Sequence, residues 1–480
     1  MSEQLRHNCG LCVTHSLKDA YSLIESLQHR GREATGIVAI GHKKIDVIKW
    51  KGPINTFDII DLYKIFPGSK YHTFMSHVRY ATRGRKDKIL EDAHPHVIGG
   101  KIEDRGNHII ISDCEMAAVH NGQINNEYLQ EIDQTKLGTG CDTEAFLHLI
   151  RKKGEHQILK EIPGAYTIAI ADKNRDEIVV LRDRTGIKPG VLGLKDGKYI
   201  VASEDVAFKN NGGEFIEDLI PGYAYYLYPD GSFKKEKVVD SNHKYCFFEV
   251  NYLSHIDSIL NGISTRRFRE VVGKNFGEEY KPYADFVTYL PRCPEVAARR
   301  YAEECDIEFL PVFYKMRGER AFQGSNLEDR KKSIEQNLNI LPNVKQKIKG
   351  KTIIVIDDSI IRGNNSKWAL YLLYETAKVE KVYYLSYTPP IGIIGNDNIP
   401  RGCMFGVDMP PNDNFIARED INQKNKTLEE ITNEMKIDEK MKMEVKYISV
   451  DGMLSAFEKL GMPSKDLCTY CIGGKHPFEN

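Results

Sequence analysis

The chain carries almost no surplus of either charge: 67 lysines and arginines stand against 68 aspartates and glutamates in 480 residues. That balance gives no electrostatic basis for binding nucleic acid or an anionic membrane. Long hydrophobic runs are missing too. Apolar stretches such as 352–356 and 166–171 fall far short of the roughly 20 residues that span a bilayer. The first residues, Met-Ser-Glu-Gln-Leu-Arg-His-Asn, lack the apolar core of a signal peptide. Cysteine is sparse, with 10 in the whole chain, which excludes a disulfide scaffold and favours reactive or metal-binding thiols. What remains is the profile of a soluble, cytoplasmic enzyme, long enough for about two to four domains.

Pattern divides the chain near residue 260. Before it, strand-like runs dominate, at 47–50, 108–111, 165–171, 177–181, 199–203 and 223–228, with turn signals such as Pro229-Asp230-Gly231 between them. Helical patterns cover 16–28 and 143–151. The excess of strands predicts stacked sheets flanked by helices. Beyond 260 the pattern alternates: strand 285–290, helix 295–305, strand 352–356, helix 366–377, strand 382–387. Alternation of that kind is the mark of a parallel sheet with crossover helices. Residues 422–446, rich in lysine and glutamate, are expected to form an exposed helical insertion.

Cys9-Gly10 alone is compatible with a buried cysteine on a first strand. Four blocks follow in order: Leu27-Gln28-His29-Arg30-Gly31, Ser76-His77-Val78-Arg79-Tyr80, His120-Asn121-Gly122 and Cys141-Asp142-Thr143-Glu144. Singly, Arg79 and Asp142 fit an ordinary salt bridge, and Asn121-Gly122 a plain turn. In this order they resemble the glutaminase domain of the class II glutamine amidotransferases, over about the first 240 residues. The resemblance implies an N-terminal-nucleophile αββα sandwich over 9–240. It implies Cys9 as nucleophile, with Asn121 and Gly122 donating to the oxyanion. Arg79 and Asp142 match the residues that hold glutamine's carboxylate and ammonium, with Arg30 as organiser of the same pocket. In that family the base is the cysteine's own α-amino group, with an ordinary pKa of about 7.7–8.0. Residues 1–8 are therefore expected to be a propeptide.

The run from Ile353 through Asp357-Asp358-Ser359-Ile360-Ile361-Arg362-Gly363-Asn364-Asn365-Ser366 reads as an apolar strand, two carboxylates, a glycine loop and a helix start. Backbone N–H groups in such a loop can surround a phosphate; the simpler reading is a buried strand ending in a solvated turn. The run resembles the phosphoribosyl pyrophosphate (PRPP) motif of type I phosphoribosyltransferases. That implies a parallel-sheet domain over 266–415, reached through an interdomain segment at 241–265. Asp357 and Asp358 match the residues that bind ribose and Mg²⁺, and Ser359, Arg362, Gly363, Asn364, Asn365 and Ser366 those that cradle the 5′-phosphate. Lys315 and Lys332, with Arg317, Arg320 and Phe322 between them, fall where these enzymes have a loop closing over PRPP. A glutaminase followed by this motif is similar to the glutamine PRPP amidotransferase family. Gly164-Ala165-Tyr166, Phe248-Glu249 and Gly406-Val407-Asp408-Met409-Pro410 agree with it. The resemblance implies glutamine and PRPP as substrates and ammonia transfer to C1 of PRPP. It also implies purine nucleotides as inhibitors and a dimeric or tetrameric assembly.

Three places depart from that family. Leu290-Pro291-Arg292-Cys293-Pro294 replaces a Val-Pro-Asp-Ser-Gly type segment, and Cys293 stands where relatives place a hydroxyl on Mg²⁺. A thiol is a poor ligand for that hard cation, and Pro294 removes an N–H. Asn364-Asn365 replaces Thr-Thr, and the closing loop is one residue short near Gly318-Glu319. These departures keep two rivals open: an amidotransferase with an altered acceptor, and a PRPP- or nucleotide-sensing protein with a degenerate second site. A glutamine-dependent sugar aminase would share the first domain, but Asp357-Asp358 speaks against it.

Cys468-Thr469-Tyr470-Cys471 fits a zinc half-site, a redox pair or two buried residues. One branch of the family holds a [4Fe–4S] cluster on four cysteines, and Cys246, Cys403, Cys468 and Cys471 match all four positions. Zn²⁺ on the same thiolates is the alternative. Residues 416–480 are expected to be a helical extension carrying this pair. Cys114, Cys141 and Cys305 carry no motif and are read as core.

Overall fold

The computed structural model describes residues 9–80, 88–133, 135, 137–315, 338–403, 405, 407, 409–421 and 423–479. The strands of the first half pair antiparallel. Nine form one sheet, in the order Glu214–Asp218, Val191–Lys195, Lys198–Ala202, Gly10–Thr14, Thr73–Arg79, Ala34–Gly41, Lys44–Lys51, His108–Ser112 and Lys101–Asp104. Six form a second, in the order Phe233–Lys237, Tyr223–Leu227, Ile178–Arg182, Ala165–Asp172, Met116–Gln123 and His96–Ile98. The sheets stack through Leu11, Val13, Val38 and Met75 of one and Ala117, Val119, Ala169 and Val180 of the other.

Strand Ala34–Gly41 shows why both faces are covered. Val38 and Ile40 point into the core between the sheets, while Ile37 and Ala39 point outward against helix Leu17–Ser26. Successive strand side chains alternate faces, so a strand apolar at every position requires a layer on each side. On the far side, Phe146 and Leu149 of helix Asp142–Lys153 and Ile158 of helix Glu155–Glu161 cover Ile168 and Ile170. The four layers are the αββα sandwich expected.

After a short hairpin at Ile259–Leu260 and Ile263–Ser264 the chain enters helix Thr265–Glu279 and the second architecture. Five strands pair parallel in the order Glu308–Phe309, Phe286–Tyr289, Thr352–Asp357, Lys381–Ser386 and Lys442–Tyr447. The central strand alternates again. Ile354 and Ile356 meet Val272, Ala298 and Phe457 on one face, and Ile353 and Val355 meet Ala369, Leu373 and Ile431 on the other.

One expectation is corrected here. Residues 422–446 are not an exposed helical insertion. Helix Leu428–Met435, closed by a Thr427/Glu430 capping box, buries Ile431 and Met435. Lys442–Tyr447 is the edge strand of the parallel sheet. The charged residues alternate with buried Met443, Val445 and Tyr447, the period of a half-buried strand. Val445→Ala is therefore expected to cost about 2 kcal/mol in a denaturation experiment, and exposed Glu439→Ala almost nothing. Equal effects would contradict this placement.

Candidate active site

Register pairs Gly10 with Val78, which sets Cys9, at the head of its strand, across from Arg79. Cys9 is fully buried. Arg30 donates through Nε to the Cys9 carbonyl at 2.9 Å, through Nη1 to Glu204 at 2.5 Å and through Nη2 to Glu249 at 3.1 Å. Glu204 also takes His29 at 2.9 Å, the Ser258 hydroxyl at 2.6 Å and the His255 N–H at 2.9 Å. Lys188 reaches Glu249 at 3.3 Å. Burial opposes the charge on Glu204, but His29 and Arg30 outweigh it and hold its carboxyl well below the usual range. Burial pushes the Cys9 thiol up to about 11, against the pull of the Tyr80 amide, Arg79, Lys188 and Arg30. As a nucleophile it needs a base beside it.

Arg79, beside Cys9, has spare donor capacity. Arg79 uses Nη1 on the Ile89 carbonyl and on Glu33, both at 3.2 Å, while its buried Nε and Nη2 have no partner among the described residues. The side chain of Asn121 is likewise buried with both amide atoms unpartnered. Buried polar groups are rarely left so, and here they match a ligand's acceptors. Gly122 is required as glycine: its φ is +152°, and a Cβ there would meet the Ala165 carbonyl oxygen at 2.0 Å. Asp142 opens helix Asp142–Lys153 and accepts the Ile124 N–H at 2.8 Å. Burial raises its carboxyl to about 6.

The second constellation sits at the end of strand Thr352–Asp357. Tyr384 donates its hydroxyl to Asp357 at 2.6 Å, and Ser359 donates to Asp358 at 3.0 Å. Burial pushes Asp357 well up, the Asp358 charge adding to it; burial raises Asp358 as well, while Arg269 and Lys315 pull it down. A buried carboxylate, Asp357, with the half-buried Asp358 beside it favours a cation between or beside them. Gly363, left-handed at φ +74°, turns the loop into helix Asn364–Tyr371, which includes Asn365 and buried Ser366. Arg362 is ion-paired to buried Asp413, so its charge is tied to the protein. Lys315 ends strand Phe313–Lys315. The Cys293 sulfur lies 3.5 Å from the Asn251 carbonyl and 3.4 Å from the Tyr387 hydroxyl. Lys332, Arg317, Arg320 and Phe322, and the propeptide expected at 1–8, lie outside the described residues.

The two constellations are joined by one turn. In Glu249–Leu253, Glu249 holds Arg30, and two residues on the Asn251 amide donates to the Thr388 hydroxyl at 2.5 Å. That hydroxyl donates in turn to the Asp358 carbonyl at 2.5 Å. Behind the turn, Cys246 pairs with Cys468 in a parallel bridge of Tyr245–Cys246 with Leu467–Cys468. Cys246, Cys403, Cys468 and Cys471 all line one cavity of about 20 Å³. The Phe405 and Val407 N–H groups donate to the Cys403 sulfur at 3.4 and 3.3 Å.

A glutamine amidotransferase domain model matches residues 101–210. An amidophosphoribosyltransferase of Archaeoglobus fulgidus is 29% identical over 475 residues, covering 95% of this chain and 94% of its own length. One from Bacillus subtilis is 28% identical over 494 residues, covering 99% and 95%. Among solved structures, one described as the allosteric regulatory enzyme of purine biosynthesis superposes with a TM-score of 0.77 at 27% identity, covering 98% of this chain and 96% of its own. Over nearly its whole length the chain is similar to amidophosphoribosyltransferases. The glutamine PRPP amidotransferase of B. subtilis, solved with ADP and GMP, gives 0.76 at 27% identity, covering 98% and 97%.

The sequence motifs left several contributors without a role: Glu204, Glu249, Lys188 and Tyr384. Their partners are not local: Glu204 and Glu249 meet Arg30 across 174 and 219 residues of chain. Removing the shared guanidinium strands both carboxylates in the interior. Arg30→Met is expected to destabilise the protein by about 3–5 kcal/mol, and adding Glu204→Gln to recover part of that loss. Denaturation of the single and double variants measures it; a single variant as stable as wild type would contradict the pairing.

Proposed function

We propose that this chain hydrolyses glutamine at Cys9 and transfers the ammonia to C1 of PRPP, giving 5-phosphoribosylamine, pyrophosphate and glutamate. The observation that carries it is the turn Glu249–Leu253, whose Glu249 touches the Cys9 pocket and whose Asn251 reaches the Asp358 loop. In this reading the chain divides into a glutaminase at 9–240, a linker at 241–265 and a phosphoribosyltransferase from 266. The latter draws its last strand from 416–480.

In the first site, loss of residues 1–8 frees the Cys9 α-amino group to take the thiol proton. The thiolate attacks the side-chain amide, and Asn121 with the Gly122 N–H stabilises the oxyanion. The spare Nε and Nη2 of Arg79 fit the substrate carboxylate, and Asp142 fits its ammonium. Arg30 fixes the Cys9 carbonyl and so positions the nucleophile. In the second site, Asp357 and Asp358 hold the ribose, the loop Ser359–Ser366 holds the 5′-phosphate through its backbone, and Lys315 meets the pyrophosphate. The paired carboxylates also fit Mg²⁺, which when bound would screen the charge of the leaving pyrophosphate. The Cys293 contacts are protein oxygens, and oxygen-seeking Mg²⁺ gains little from its thiol. Ammonia is mostly protonated in neutral water, so the transfer benefits from the short route past the turn.

The four cysteines fit a [4Fe–4S] cluster, which when bound would tie the start of the linker to the C-terminus. Among the described residues, the one set of three or more metal-type donor atoms within 4.8 Å of one another lies elsewhere. Tetrahedral zinc, with Zn–S bonds of about 2.3 Å, draws its sulfurs to roughly 3.8 Å. The cysteine spacing therefore favours the larger cluster. We extend to this chain purine-nucleotide inhibition and a homo-oligomeric, dimeric or tetrameric state, in the cytoplasm. Among the described residues no helix is long and apolar enough to cross a membrane.

Cys9→Ala is expected to lower glutamine-driven pyrophosphate release by about 10⁴-fold or more while leaving the ammonium-driven rate in place. Equal loss with both donors would contradict the two-site division. Asp142→Asn is expected to raise the glutamine KM by about 10- to 100-fold, again without effect on ammonium. Anaerobically prepared protein is expected to be brown, with about four irons and four sulfides per chain. Colourless protein carrying zinc instead would overturn the cluster assignment.

A further inference from the structure

We propose that His94, His96 and Cys141 form a zinc-binding site beside the glutamine pocket, through which zinc inhibits glutamine hydrolysis. One donor atom from each of the three lies within 4.8 Å of the others, and all three side chains are buried. Two segments distant in the chain bring them there. His94 precedes the edge strand, His96 begins it, and Cys141 caps helix Asp142–Lys153.

The donor set decides the metal. Two imidazoles and one thiolate are borderline-soft ligands that suit zinc, and they are the wrong set for Mg²⁺ or Ca²⁺. The His96 Nε2 is buried with no partner among the described residues. His94 is oriented by Thr143, whose hydroxyl meets its Nε2 at 3.0 Å and the Nδ1 of His120 at 2.8 Å. Outer contacts of that kind orient ligand imidazoles in metal sites. Binding would take Cys141 as the thiolate and release its proton to solvent, leaving three protein ligands and an open position.

Nearby charges are mixed. Arg79 and Lys49 act on this region, but Arg79 is paired to Glu33. Lys49 is held by the Glu91 and Ala93 carbonyls, with burial bringing it down to about 8. Asp92 accepts the Gly140 N–H at 3.2 Å beside the cysteine. The link to activity runs through Cys141, whose thiol lies 3.5 Å from the Asp142 carboxylate as a donor. Zinc on that sulfur removes the contact and places positive charge beside the group assigned to glutamine's ammonium. This consequence rests on the proposed role of Asp142; the site itself does not.

The test is anomalous diffraction at the zinc edge on crystals of the cluster-loaded enzyme soaked in zinc chloride, with parallel rate measurements. A peak within bonding distance of His94, His96 and Cys141 is expected. Zinc should lower glutamine-driven pyrophosphate release and spare the ammonium-driven rate. His96→Gln should abolish the peak and raise the zinc concentration for half-inhibition by about 10-fold or more. No peak at these residues would overturn the site and leave the trio as a buried hydrogen-bonded cluster; so would wild-type zinc sensitivity in His96→Gln. The wild-type map decides the matter even if the variant folds poorly. An enzyme without any glutamine-driven activity would sink the proposed function, yet the map would still read the site.

Discussion

The buried Arg30 guanidinium, shared between the Cys9 carbonyl, Glu204 and Glu249, is the constraint on which the two-site arrangement depends. A charge this deep is tolerated only with its partners in place, because removing either side leaves an uncompensated ion in the interior. Buried ion pairs are often no better for stability than well-packed apolar groups. What this one supplies is position. Its Nε fixes the residue before the first strand, and its two carboxylates belong to segments that lead toward the second domain. Glu204 binds the Ser258 hydroxyl and the His255 N–H, while Glu249 opens the turn that ends beside Asp358.

That turn explains how one chain can serve two reactions. Glu249 and Asn251 are two residues apart yet address different sites, one through an ion pair and the other through Thr388. The Tyr387 hydroxyl also donates to the Asn251 carbonyl at 3.0 Å, close to Cys293. A change in the phosphoribosyl loop therefore has a short, hydrogen-bonded path back to Arg30 and Cys9. The cysteine cavity stands at the root of the same segment, where Cys246 lies three residues before Glu249.

Much of this was legible in the sequence because it is local. The strand–loop–helix run ending at Ser366 announces itself, and the ordered blocks marked Cys9, Arg79, Asn121 and Asp142 as candidates for the first site. Long-range partners left no such trace. Glu204 and Glu249 acquire their role only when folding brings them to Arg30. The segment around Lys442–Tyr447 misled for a different reason. Its lysines and glutamates dominate composition, while the decisive signal is the alternation of Met443, Val445 and Tyr447 on the buried face. Cys141 was read as core, and it is buried; its neighbours His94 and His96 come from a distant part of the chain.

The most direct measurement is the ratio of glutamate to pyrophosphate released at saturating glutamine, PRPP and Mg²⁺. If the turn joins two working sites, the two products form one for one. Steady glutamate release with no pyrophosphate would contradict transfer between the sites and leave only a glutaminase.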